Sequence, residues 1–88
     1  MIRQWQEFFY EGRYMGAYLD NPDFAAVANS FGLHGVGATT REEMHSAIEM
    51  AHAHDGPVVL DLHVDQVENV YPMIVPGTGV ASVIEDPR

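Results

Sequence analysis

The chain has 88 residues, enough for one small domain that buries only about 60–65% of the surface its unfolded form exposes. Thirteen acidic residues against four arginines and no lysine give a formal charge of -9, which repels phosphate backbones and anionic headgroups and disfavours nucleic-acid and membrane partners. With no cysteine, no apolar run near the ~20 residues of a membrane span and no signal-peptide core, the chain is expected to be soluble and cytoplasmic, without disulfides or thiolate metal sites.

In residues 1–10, Ile2, Trp5, Phe8 and Phe9 recur every three to four positions, the spacing of an amphipathic helix. No Ser, Thr, Asp or Asn precedes it as a cap, so the helix reads as the continuation of something upstream. Residues 11–20 read as an aromatic-rich loop around Gly12 and Gly16. Asn21-Pro22-Asp23 predicts a helix start, with Asn21 capping, Pro22 in the first turn and Asp23 facing the positive dipole end. Phe24, Val27, Ala28 and Phe31 are the expected apolar stripe, and Gly32 the residue that ends the helix.

Residues 33–38 predict a short strand in which Gly35 and Gly37 let neighbouring backbone approach closely. Thr40 and Glu43 match a capping box for a second helix, with Met44, Ala47, Ile48 and Ala51 as its expected buried face. Asp55-Gly56-Pro57 turns into the β-branched run at 58–64, which suits a strand buried on both faces. Strand, helix and strand in that order predict a parallel α/β unit, and two strands do not make such a sheet stable alone. Beyond residue 65 no period is sustained, and the tail is expected to pack on something. Hydrophobic residues make up 47% of the chain and charged residues 19%, so part of the apolar surface is expected to meet another surface.

Four stretches resemble the C-terminal end of the catalytic subunit of the thiamine-diphosphate-dependent acetolactate synthases, or acetohydroxyacid synthases. They are Arg3-Gln4-Trp5-Gln6 with Phe9-Tyr10 and Gly12-Arg13-Tyr14; Asn21-Pro22-Asp23-Phe24; Gly56-Pro57-Val58-Val59-Leu60-Asp61; and Glu68-Asn69-Val70-Tyr71-Pro72-Met73. Their order and spacing agree with the family, so the resemblance covers nearly the whole chain. The family's Gly-Asp-Gly motif and Asn-Asn pair, which hold magnesium and diphosphate, would lie upstream of Met1, and its activating glutamate belongs to an earlier domain. The sequence also departs from the family at 15–18, where Ser and Thr are usual, and at Val75, where Pro is usual.

The resemblance implies an α/β fold: a partial three-layer parallel-sheet domain, the C-terminal half of a thiamine-diphosphate-binding fold, with an irregular C-terminal tail. Residues 1–20 would be the channel helix and loop, 21–65 a helix-strand-helix-strand unit and 66–88 the tail. Trp5 would line the substrate channel and favour 2-ketobutyrate over pyruvate as second substrate, with Pro76 and Gly77 beside the channel entrance. Met1 and Ile2 would lie beside the thiamine ring. No catalytic residue and no metal ligand is expected in these 88 residues. Thiamine diphosphate and magnesium belong to the complete enzyme and are not expected to be held by this chain alone.

The remaining polar residues read as structural. His45, Glu49 and His52 share a helix face at metal-ligand spacing but are expected to be a solvated face, as are His34 and His54. Asp61 and His63 share a strand face, and a hydrogen-bonded strand-end Asp is preferred to an acid/base pair. Gly77-Thr78-Gly79 lacks the lysine of a phosphate loop. Two functions are expected to compete. One is the C-terminal portion of an acetolactate synthase, partnered by the remainder of the catalytic subunit or an adjoining chain and homo-oligomeric when complete. The other is a non-catalytic α/β interaction module docking on a protein partner.

Overall fold

A computed structural model describes all 88 residues, which divide into two compact units, Asp20–Gln66 and the pair of segments Met1–Leu19 and Val67–Arg88.

The first of these units contains α2 (Phe24–Ser30), β1 (His34–Ala38), α3 (Arg41–Ala53) and β2 (Val58–Leu62). β1 and β2 pair in parallel, with Val36 opposite Leu60, and α3 makes the crossover. Both helices pack on both strands. The start of α2 differs from the sequence expectation. Asp23 is the cap, its carboxylate accepting from the Ala26 amide at 2.9 Å, and Asn21 and Pro22 lie ahead of the helix. Either residue type caps well, and the choice falls to the oxygen that reaches the amide three residues on. The helix ends as expected: Gly32 takes φ 79°, its amide donating to Asn29 O and that of Leu33 to Ala28 O, both at 3.0 Å.

Of the expected apolar stripe, only Ala28 belongs to the buried face of α2. Phe24 and Val27 are partly exposed and Phe31 is 79% exposed, whereas Ala25 and Ala28 are buried. Gly35 explains the exchange. A Cβ on Gly35 would collide with the Ala25 carbonyl, so helix and strand backbones touch, and only alanine fits at the helix positions facing inward. The Asn29 side chain completes the contact, accepting from the Gly35 amide at 3.0 Å and donating to its carbonyl at 3.3 Å. Gly37 has no such neighbour.

The capping box at α3 is present. Thr40 Oγ1 accepts from the Glu43 amide, while Glu43 Oε2 accepts from the Thr39 and Thr40 amides and the Thr39 hydroxyl at 2.9–3.1 Å. Those donors, the Thr39 amide foremost, hold the Glu43 carboxyl below its ordinary value of 4.5. Ala47 is buried on the sheet side, but Ile48 is half exposed, so the buried face is narrower than the pattern predicts. β2 stops at Leu62, its residues are only half-buried, and Val64 lies beyond it in solvent. With β1 as its single neighbour β2 keeps a free edge, and α2 and α3 cover its faces only in part.

The other unit is built on α1 (Ile2–Phe9), which has no side-chain cap. Its tail supplies β3 (Met73–Ile74), a 3₁₀ turn (Val80–Ser82) and β4 (Val83–Ile84), with β3 and β4 antiparallel. The sequence reading has no strands here, since two-residue strands carry no period. Arg88 closes the tail on Glu68 through two 2.9 Å hydrogen bonds.

Candidate functional site

The apolar stripe of α1 does not form a core. Ile2 is 67% exposed, Trp5 and Phe9 more than a third exposed, and the buried residue is Gln4. Its amide group meets the main chain of Val70, accepting from Val70 N at 2.8 Å and donating to Val70 O at 2.9 Å. Arg3 and Glu7, one turn apart on the same side, continue the attachment. Arg3 donates to Val67 O and Asn69 Oδ1, and Asn69 Nδ2 donates to Glu7 Oε2 at 2.7 Å. Phe8 extends it with a ring contact to Tyr71, centroids 5.9 Å apart.

The tail therefore wraps α1 and returns on a second face. There Trp5, Phe9, Tyr10, Val75 and Pro76 line an apolar groove of about 190 Å³. Trp5 and Phe9, one turn apart, meet edge to face with centroids 5.3 Å apart. The structure brings two expected channel residues, Trp5 and Pro76, to one surface. Gly77, next along the tail, is not among the lining residues, and Met1 and Ile2 stand exposed outside the groove. Phe9, Tyr10 and Val75 are not among the expected channel residues; for Phe9, its position four residues after Trp5 is the available signal. Thr78 closes the turn after Pro76, its amide and hydroxyl both donating to Val75 O.

Two further cavities lie in the α/β unit. The larger, about 590 Å³, is lined by Asn21–Ala25, Gly37 and residues 61–64. Among its polar lining residues Asp61 accepts from the Phe24 amide at 3.2 Å, with His63 Nε2 3.7 Å away. The carboxylate thus ties the start of α2 to the end of β2, the structural role expected for it. A second cavity, about 500 Å³, lies between His34 and Val36 of β1 and Ala47 and Met50 of α3. Beside it the rings of His34 and His54 stack at 4.7 Å, a pairing not visible in the sequence.

The donor chemistry does not fit a magnesium–diphosphate group. No three His, Cys, Asp or Glu side chains gather to hold a metal ion. His45 pairs with Glu49 at 3.3 Å on an exposed face. Of the arginines, Arg3 is engaged by the tail and Arg88 by Glu68 and Asp86. What this surface offers a ligand is apolar contact at Trp5, Phe9, Val75 and Pro76. No helix is long and apolar enough to cross a membrane.

Residues 1–62 match the family described as "Thiamine pyrophosphate enzyme, C-terminal TPP binding domain". Over 97% of its length the chain is 38% identical to the acetolactate synthase isozyme 2 large subunit of Escherichia coli. Over 96% it is 44% identical to the acetolactate synthase large subunit of Parasynechococcus marenigrum, and over its whole length 38% identical to the mitochondrial acetolactate synthase catalytic subunit of Saccharomyces cerevisiae. The chain spans 16%, 14% and 13% of the length of these three relatives. The parallel βαβ unit and the match over more than two thirds of its residues make this chain a member of the thiamine pyrophosphate enzyme family, in its C-terminal TPP-binding domain.

Proposed function

We propose that these 88 residues serve as the C-terminal portion of a thiamine-diphosphate-dependent acetolactate synthase catalytic subunit. The reaction is decarboxylation of pyruvate and transfer of the two-carbon unit to a second 2-keto acid, as in branched-chain amino acid biosynthesis. The observation that carries this reading is the groove in which the tail lays Val75 and Pro76 against Trp5.

Thiamine diphosphate, with magnesium at its diphosphate, supplies the electron sink that decarboxylation of a 2-keto acid requires. Because the donors here do not fit that group, its charged end falls to residues outside this chain, and the 88 residues alone hold neither cofactor nor metal. Met1 and Ile2 contribute apolar surface to the thiamine ring. Trp5, with Pro76 and Gly77 at the channel, contacts the extra methylene of 2-ketobutyrate. One methylene in an apolar pocket is worth about 1–3 kcal/mol, a preference of roughly 10- to 200-fold.

The remainder of the catalytic subunit, as one chain or an adjoining one, completes the sheet, whose two strands each keep an edge without a partner strand. Gly35 facing Ala25 of α2 and the neighbouring Val36 facing α3 support a three-layer arrangement about that sheet. Phe31 and Val64, 79% and 83% exposed, supply apolar surface for the same contact. The complete enzyme is a cytoplasmic homo-oligomer, and the excess negative charge keeps nucleic acid and membranes from the list of partners.

The test is a competition assay on the assembled synthase carrying this segment, with pyruvate and 2-ketobutyrate as acceptors. Trp5→Leu should lower the ratio of acetohydroxybutyrate to acetolactate several-fold. An unchanged ratio, or a parallel fall in both products, returns Trp5 to a packing role.

A further inference from the structure

We infer that Gln4 is a positioning residue for the acceptor groove: its side-chain amide sets the register of the tail on α1 and thereby the distance at which Val75 and Pro76 face Trp5. The inference rests on the proposed reading of that groove as the acceptor channel. Gln4 is 3% exposed on a helix whose apolar neighbours Ile2, Trp5 and Phe9 are far more exposed, which reverses the usual order of burial. A buried amide is favourable only when its donors and acceptor are satisfied, and here they are. Gln4 Oε1 accepts from Val70 N and Gln4 Nε2 donates to Val70 O, so one side chain occupies both main-chain groups of a single residue, as a neighbouring strand would. Nε2 also reaches Met73 Sδ at 3.2 Å, which fixes the tail three residues further on, where β3 begins.

A slip of the tail by one residue would break both hydrogen bonds to Val70, so the Gln4 amide favours the register seen here. Two residues after Met73 the chain delivers Val75 and Pro76 to the groove. Trp5 is adjacent to Gln4 in sequence but lies on the next face of the helix, about 100° round, so the two side chains grip successive parts of the same tail. Asn69 cooperates, accepting from Arg3 and donating to Glu7. The groove that selects the acceptor by one methylene is thus built from a loop whose position is set by hydrogen bonds outside the groove.

The test uses Gln4→Leu, which removes both contacts, and Gln4→Glu, which keeps size and the acceptor for Val70 N but loses the donor to Val70 O. Trp5 is the only tryptophan, so its fluorescence reports the groove without a label. In the 88-residue chain, both variants should raise the acrylamide quenching constant of Trp5 about two-fold while far-UV circular dichroism is retained. Should Gln4→Leu fail to fold, Gln4→Glu carries the comparison. In the assembled synthase, both should shift the product ratio in the same direction as Trp5→Leu, whereas a merely structural loss would lower both products together. Unchanged quenching, or an unchanged ratio where Trp5→Leu does shift it, overturns the positioning role alone. If Trp5→Leu itself leaves the ratio unchanged, the channel reading fails and the specificity role of Gln4 fails with it.

Discussion

Replacing Gly35 with alanine should unseat α2 from the sheet. The added methyl would meet the carbonyl of Ala25 closer than any real contact and would stand 3.0 Å from the Ala25 carbonyl carbon and Cα. These are backbone atoms, so no side chain can rotate away, and the helix must withdraw as a body. Ala25 and Ala28 are buried by this approach, and moving them outward forfeits a large part of their dispersion contact. Overpacking costs typically 1–3 kcal/mol, and a clash with backbone belongs at the upper end, about 3 kcal/mol. A complete domain of this length has a total stability of roughly 4–13 kcal/mol, and a two-stranded sheet lies at the low end, so the loss is a substantial fraction. With a urea slope near 1 kcal/mol/M the midpoint should fall by about 2–3 M, read by far-UV circular dichroism. Gly37→Ala is the control, since nothing lies within 4 Å of its Cβ position, and it should stay within about 0.5 kcal/mol. Equal shifts in both variants, or no shift at Gly35, would refute the close-packing account of α2.

Glu43→Gln should cost stability in a pH-dependent way. The folded-state pKa of Glu43 is lowered, so its stabilisation is present above the ordinary value of 4.5 and is lost as pH falls through the lower folded value. The urea-midpoint gap between the parent and Glu43→Gln should therefore be widest near neutral pH and close as the solution is acidified below 4.5; a gap independent of pH contradicts the capping geometry. Asp61→Ala, which removes the hydrogen bond to the Phe24 amide, should lower stability by about 0.5–1.5 kcal/mol and be visible as a fall of several degrees in the thermal midpoint. Adding zinc should leave that midpoint unchanged, because His45 and His52 belong to an exposed face with no third ligand gathered. A rise of several degrees abolished by His45→Ala or His52→Ala would show a site there.

The features legible in the sequence are those decided within a few residues. Thr40 and Glu43 form their capping box from a four-residue pattern, Gly32 takes the left-handed turn that its position demands, and the first five residues of the β-branched run at 58–64 become β2. Features decided by distant partners were not legible. Nothing local distinguishes Gln4 from Gln6, yet Gln4 is buried because Val70, 66 residues on, presents an unpaired peptide group to it. The inward face of α2 departs from the expected stripe, Ala28 excepted, for a related reason. Phe24, Val27 and Phe31 are the hydrophobic choice, but the facing strand carries Gly35, and at that separation only Ala25 and Ala28 fit. At the groove, Trp5 and Pro76 were named through a resemblance, and their meeting depends on a tail path that no periodicity encodes.

This segment is proposed to complete an acetolactate synthase. The most direct measurement is acetolactate formation by the Escherichia coli isozyme 2 large subunit with the matching C-terminal segment deleted, assayed with thiamine diphosphate and magnesium, alone and with the 88-residue chain supplied in fusion or as a separate chain. Neither part alone should form acetolactate, and activity should appear when the two are combined. Continued inactivity of the combined, folded protein, or equal activity without the 88 residues, would contradict it.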